Sequence, residues 1–343
     1  MKLMKTEDAV GQVICHDITQ IIKGVTKDAR FRKGHVITEE DIPVLLSLGK
    51  DNIYVWENDD SMMHENEAAE VLCEICLGDN LTRGEVKEGK IELAAECDGL
   101  LKIDREKLRV VNSYGQMMIA ARHGDFPVKK GDKVAGTRII PLVIEREKMD
   151  EVKWLCAGAP IFNVLPFPAR KAGIVTTGNE VFYGRIEDTF TPVVESKLAE
   201  FGCTVMGHET VNDENENIEA AIRKLLDAGA EMIVCTGGMS VDPDDKTPLA
   251  IRNVCGSVVT YGAPVLPGAM FLLAYYGEDK VPVMGLPGCV MYAKRTIFDI
   301  VLPRVAAGEI LDSDDFAKLG EGGLCLNCEI CTYPNCGFGK GGF

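Results

Sequence analysis

Between Lys171 and Leu302 the chain alternates short apolar runs with amphipathic stretches, and three of the apolar runs end in glycine-bearing turns. Lys171-Ala-Gly-Ile-Val175 closes on Thr176-Thr-Gly-Asn-Glu180. Glu231-Met-Ile-Val-Cys235 closes on Thr236-Gly-Gly-Met-Ser240, and Val281-Pro-Val-Met284 closes on Gly285-Leu-Pro-Gly288. Two punctuated helices are predicted between the first two turns. One starts at Thr191-Pro192, carries Val194, Leu198 and Phe201, and stops at Gly202. The other opens on an Asp213-x-x-Glu216 capping box, shows Ile218, Ala221, Ile222, Leu225 and Leu226 on one face, and stops at Gly229. A third long helical pattern is expected over Cys289–Leu302. Alternation of this kind predicts an α/β fold, a three-layer arrangement of a mostly parallel sheet with helices on both faces. Ligands of such sheets bind beyond the carboxyl ends of the strands, where all three glycine turns fall.

The turn after Cys235 carries the most chemistry. Two glycines let backbone amides approach an anion closely, and Asp242, Asp244 and Asp245 offer hard oxygen ligands for a divalent cation, Mg2+ above all. Thr247 and Pro248 read as an N-cap and first helical residue, which brings a positive helix end to the same turn. The simpler alternative is a solvated acidic loop whose repulsion Lys246 relieves.

Four spaced motifs give this region a family resemblance. Thr177-Gly-Asn-Glu180, Thr236-Gly-Gly-Met-Ser240 with its aspartates, Leu266-Pro-Gly268 and Gly285-Leu-Pro-Gly288 resemble, in order, the molybdopterin-binding domain of cofactor-biosynthesis enzymes such as molybdopterin molybdenumtransferase. The resemblance implies a molybdopterin site built from Thr177, Gly178, Asn179, Glu180, Thr236, Gly237, Gly238, Ser240, Pro267, Gly268, Pro287 and Gly288. It also implies a transferase whose Asp242 and Asp245 serve catalysis through a Mg2+ ion while molybdate enters the pterin dithiolene. Phe31-Arg-Lys-Gly-His35 leading to Thr38-Glu-Glu-Asp41 resembles the amino-terminal part of the same branch, with Thr38 as a helix N-cap. Three departures stand beside these matches. Asn179 replaces the family's acidic residue, Ala269 follows the Pro-Gly turn where a basic residue is common, and the family's Ser-Ala-Met-Asp-Gly-Tyr-Ala signature is missing. Asn179 and the missing signature favour a second reading, a non-catalytic carrier that holds molybdopterin or finished cofactor for a molybdoenzyme client. An ATP-dependent adenylyltransferase is a third reading, although single-domain members of that branch lack such an amino-terminal region.

The 343-residue length predicts several domains. Residues 1–60 form an α/β segment, 61–85 a helical linker, 86–165 a small β-rich domain resembling SAF-like modules, 166–310 the molybdopterin-binding domain, and 311–343 a cysteine-rich tail. Within the linker, Cys73 and Cys76 fall on a helix face over Glu65–Leu77 and read as core positions, not a redox pair. His123 and Arg122 read as turn residues with phosphate contact as the alternative. A net charge of −16 excludes nucleic acid and anionic membrane as partners. No apolar run approaches the ~20 residues of a membrane helix. No leader-like amino terminus is read, and thirteen mostly scattered cysteines suit a reducing cytoplasm. Expected partners are molybdopterin, molybdate and a client enzyme, with a homo-oligomer left open. In the tail, Cys325, Cys328, Cys331 and Cys336 stand as C-x2-C-x2-C-x4-C, spacing that suits an iron–sulfur cluster or tetrahedral zinc. The first three match a ferredoxin-type run, the last gap is one residue longer, and no proline follows Cys336.

Overall fold

A computed structural model describes residues 1–22, 24–55, 59–240, 242–243 and 245–341. The chain divides into two compact units, neither of them continuous in sequence. The first comprises Met1–Glu96, Ile103–Arg122 and Gly131–Asn163, and the second Cys97–Lys102, His123–Lys130 and Val164–Phe343.

In the first unit, strand Lys2–Lys5 pairs with Asn52–Val55, and an Ile18–Ile22/Thr26–Phe31 hairpin lies in the same region. Ile14, Ile18, Ile37, Leu45 and Ile53 form their core. Helix Asp41–Ser47 starts later than the Thr38 cap predicts. The Thr38 hydroxyl and amide both donate to the Asp41 carboxylate at 2.9 Å, so the acidic residue caps the turn in reverse. Helix Glu65–Cys76 forms as expected and buries Cys73 and Cys76 with Ala69 and Leu72. The β-rich part is an antiparallel sheet in the order Leu81–Arg83, Lys90–Ala95, Lys133–Ile139, Met117–Ala121, together with a helix, Arg105–Ser113, that its polar sequence disguised. Strand Gly99–Ile103, assigned by sequence to this sheet, pairs instead with Pro127–Val128 in a three-stranded sheet with Phe162–Pro166.

The second unit holds the six-stranded sheet. Its strands are β1 (Lys171–Thr177), β2 (Thr204–Val211), β3 (Met232–Thr236), β4 (Val258–Tyr261), β5 (Leu272–Tyr276) and β6 (Val281–Leu286), in spatial order β2-β1-β3-β6-β5-β4. The first four in that order run parallel, and β5 alone is antiparallel to its neighbours β6 and β4. Alternation along the strands separates two cores. Ala172, Ile174, Met232 and Val234 face helices α1 (Thr191–Ala199) and α4 (Ile297–Ala306). Val175, Ile233 and Cys235 face α2 (Asn215–Asp227) and α3 (Thr247–Cys255). Burial on both faces explains why these strands read as continuous apolar runs. Gly173 and Gly207 admit α2 closely, since a Cβ at either would lie 3.0 Å or less from Leu225 side-chain atoms.

Two helix starts differ from the sequence expectation. The pattern from Cys289 opens as a 3-10 turn over Gly288–Met291, and α4 begins only at Ile297. There Thr296 and Asp299 form a capping box, with the Thr296 amide donating to Asp299 at 2.7 Å. At α2 the expected Asp213 box is not made. Glu214 occupies the cap position without a side-chain bond, and Asp213 Oδ2 accepts the amide of Asn179 instead. Tertiary pairing at the sheet edge has taken the capping residue.

Candidate functional site

Strand register brings the three turns to one edge. Thr176 lies opposite Thr236, and Thr236 opposite Leu286, so parallel strands β1, β3 and β6 end level and their following turns share the carboxyl rim. Each turn has its own steric logic. Gly237 and Gly238 take φ of +85° and +55°, and a Cβ on Gly237 would sit 2.1 Å from the Thr177 carbonyl oxygen. A Cβ on Gly238 would lie 2.8 Å from Thr247 Oγ1. Only glycine fits both requirements. Gly178, at φ +139°, turns the chain into a short helical turn, Asn179–Phe182. Gly288 differs from these: it is exposed, with nothing within 4 Å of a notional Cβ.

Adjacent threonines distribute their hydroxyls to opposite faces. Thr177 Oγ1 is 3.0 Å from Thr247 Oγ1, both buried at the foot of α3. Thr247 therefore does not cap α3 with its side chain, as the sequence suggested, and Lys246 stands at the cap position. On the α1 face, Thr176 Oγ1 is 2.9 Å from His208 Nε2 and 3.1 Å from Thr191 Oγ1, and accepts a bond from Thr236 at 3.3 Å. Asp188 completes this cluster. Its carboxylate accepts the Thr191 hydroxyl at 2.6 Å and the amides of Phe190 and Thr191 at 2.9 and 3.0 Å. Burial works against the Asp188 anion, yet these donors outweigh it and hold its pKa below the ordinary carboxylate value. Asp188 and His208 escaped the sequence reading, and Asp213 was read only as a helix cap. Asp188 has a local sign, an Asp-x-x-Thr191 cap ahead of Pro192, whereas His208 has none because its partners arrive from other strands.

The acidic loop is tied down at both ends. Tyr261 on edge strand β4 donates to the carbonyls of Met239 and Ser240, each at 3.2 Å. The Asp245 amide donates to the Asp242 carbonyl at 3.0 Å, and Asp245 Oδ2 accepts the Asp242 amide at 3.3 Å. Asp242 is exposed and Asp245 half-buried, while Asp244 lies outside the described residues. Among the described residues no three His, Cys, Asp or Glu side chains converge on a single ion. Glu180 is exposed beside Gly178, and Ser240 is exposed with its carbonyl engaged by Tyr261.

The Pro267-Gly268 turn has a structural explanation. Pro267 O accepts the Ile297 amide at 3.2 Å, and a Cβ on Gly268 would meet Ile297 Cγ2 at 2.5 Å. Pro267 also lines a cavity shared with the cysteine tail. Pro287 precedes the 3-10 turn and accepts the Val290 amide at 3.1 Å. In the first unit Arg122 pairs with Asp132 at 3.0 Å; in the second, the His123 ring lies edge-on to Phe126. Both are turn residues with protein partners.

Comparison with known proteins agrees with this placement. Residues 173–307 match the family described as a probable molybdopterin binding domain, and residues 3–57 match a domain of unknown function. A CinA-like protein of Mycobacterium avium (strain 104) is 37% identical over 101 residues, covering 29% of this chain and 23% of the relative. The chain thus spans under a quarter of the length of that curated relative. The molybdopterin biosynthesis enzyme MoaB of Thermus thermophilus is 23% identical with a TM-score of 0.35, covering 41% of this chain and 98% of that one. The CinA protein of Thermoplasma acidophilum is 22% identical with a TM-score of 0.30, covering 35% and 89%. Among the described residues no helix is long and apolar enough to cross a membrane. With the three turns on one rim and the match across them, residues 173–307 belong to the molybdopterin-binding domain family.

Proposed function

We propose that the rim formed by Thr177–Glu180, Thr236–Ser240 and Pro287–Gly288 binds the phosphorylated tail of molybdopterin, and that the chain acts in molybdenum cofactor biosynthesis. The observation that carries this reading is the family match over 173–307 combined with three level turns whose glycines let an anion approach the backbone closely. With a net charge of −16, the chain's overall field opposes an anionic pterin, so attraction must come from these local dipoles and a cation. Mg2+ keeps several waters and takes one or two carboxylates besides substrate oxygens. Exposed Asp242 and half-buried Asp245 suit that demand without a closed protein cage. Asp244 belongs to the same proposal by sequence. When bound, the ion would neutralise phosphate or molybdate oxygens. The chain's own part is to hold the pterin with rim amides and to anchor the acidic loop through Tyr261.

Two outcomes follow from the same rim. Insertion of molybdate makes the chain a molybdenumtransferase-like enzyme. Binding without turnover makes it a carrier, which Asn179 favours because it lacks the acidic group of the transferase pattern. Isothermal titration with molybdopterin tests the binding step, and mass spectrometry of the pterin after incubation with molybdate and Mg2+ tests the chemistry. Tight binding with a mass gain supports the enzyme, and binding alone supports the carrier. A well-folded protein with no pterin affinity overturns both.

A further inference from the structure

We infer that Cys325, Cys328, Cys331 and Cys336 hold an iron–sulfur cluster in a preformed cavity of the second unit. All four cysteines line one cavity of about 480 Å3, whose wall also includes Leu324, Tyr333 and Phe338. Cavity size and sequence spacing favour a cluster over zinc. A tetrahedral zinc draws four sulfurs to ~2.3 Å from the metal and leaves no room between them. A cuboidal iron–sulfur core puts each thiolate on a different iron and needs a wider cage. The three successive cysteines at two-residue gaps match cluster-binding runs, whereas zinc sites more often use paired knuckles set far apart.

The cage is anchored on both sides by protein contacts. On one side, Leu324 bridges Leu266, with the Leu266 amide donating to Gly323 and the Cys325 amide donating to Leu266, each at 2.8 Å. On the other, Tyr333 donates to the Asp299 carbonyl at 2.9 Å, Phe338 is buried, and the Gly339 amide donates to Gly322 at 2.9 Å. Between these anchors runs a loop with no helix or strand. Leu326 and Ile330 are each 79% exposed there, and Cys328 and Cys331 are exposed residues. On the inner wall, buried Phe338 and half-buried Tyr333 supply the apolar backing that limits water at a cluster.

Charge completes the fit. Four thiolates around an iron–sulfur core leave a net negative centre, and Lys294 and Arg295 both line the cavity. Lys294 Nζ donates to the carbonyls of Cys328 at 3.0 Å and Glu329 at 2.7 Å, which fixes its ammonium beside the ligand loop. Arg295 lies over the Tyr333 ring at 5.1 Å. This assignment does not depend on pterin binding.

The test is anaerobic reconstitution of the full chain with ferrous iron and sulfide, followed by metal and sulfide analysis and visible absorption. The expected result is brown protein with about four iron and four sulfide per chain and absorption bleached by dithionite. The exposed-position variants C328S and C331S should lose iron while keeping the far-UV circular dichroism and melting curve of the metal-free parent. Lys294→Met should keep the cluster but lower its reduction potential, because a nearby positive charge favours the reduced form. One zinc per chain, or colourless protein with four alkylatable tail thiols after reconstitution, overturns the inference. Pterin titration of C328S against the parent keeps this result separate from the fate of the rim proposal.

Discussion

The hydroxyls of Thr177 and Thr247 meet at 3.0 Å across the gap between the end of β1 and the first residue of α3, and neither side chain is exposed. This contact joins the first glycine turn of the rim to the helix that follows the second, and Gly238 is required partly to let it form. Thr177→Val should therefore cost about 1–3 kcal/mol, because it strands the Thr247 hydroxyl without water. Adding Thr247→Val should recover part of that loss. Urea denaturation of the single and double variants checks it, and an additive double variant would show that the hydroxyls do not act as a pair.

Gly237 and Gly288 should respond oppositely to the same change. Gly237→Ala meets a left-handed backbone and the Thr177 carbonyl, so it should destabilise by about 1–3 kcal/mol or more and remodel the turn. Gly288→Ala meets open space and should leave stability within about 0.5 kcal/mol of the parent. Any loss of pterin affinity in Gly288→Ala then reports crowding of the ligand itself. Thermal melts paired with titration calorimetry separate the two effects.

Asp188 gives the rim a defined pH response. Its pKa is depressed in the folded chain, so its contribution is present above the ordinary carboxylate value near 3.9 and fades as pH falls through the lower folded value. Asp188→Asn should thus be less stable than the parent at pH 7, with the gap closing below about pH 4. Stability curves at several pH values decide this. A gap that persists unchanged to about pH 2 would mean that the carboxylate's charge is irrelevant.

Asp299 serves three partners at once: buried Lys197, Arg295 at 2.8 Å, and the Thr296 cap amide. Asp299→Ala should cost about 3–5 kcal/mol, since it leaves a buried ammonium unpaired. Lys197→Met should cost less, because Arg295 still balances the carboxylate. A reversed order of the two midpoints in denaturant would refute this division of roles.

Thiol labelling should follow burial in the metal-free chain. Cys328 and Cys331 should react within the native state, whereas Cys76 and Cys235 should wait for unfolding, since desolvation pushes both thiols far above their usual pKa. Mass spectrometry of timed alkylation measures the order.

Much of the second unit was readable in the chain itself. The apolar runs before Thr177, Thr236 and Leu286 are long and uninterrupted because both faces of those strands are covered, and glycine marks each exit. Errors fell where distant contacts outcompeted local rules. Asp213 looked like a cap and became the acceptor for Asn179 across the sheet edge. Thr247 looked like a cap and turned inward to Thr177. The true start of α4 was written as Thr296-x-x-Asp299, but an apolar stretch upstream drowned it. His208 and Thr176 are far apart along the chain, and no periodicity could have paired them.

The second unit takes the segments Cys97–Lys102 and His123–Lys130 from upstream in the chain. The Phe126 ring from that borrowed segment lies tilted against Tyr333 with centroids 5.9 Å apart, and Lys340 Nζ sits 5.3 Å from the Phe126 ring centre. Tail and borrowed segment therefore depend on each other, although roughly two hundred positions separate them. For gene-level exchange this is a constraint. A recombination that replaced the tail without the upstream segment would strand Phe126 without its partners, so the tail and its upstream support must be inherited together.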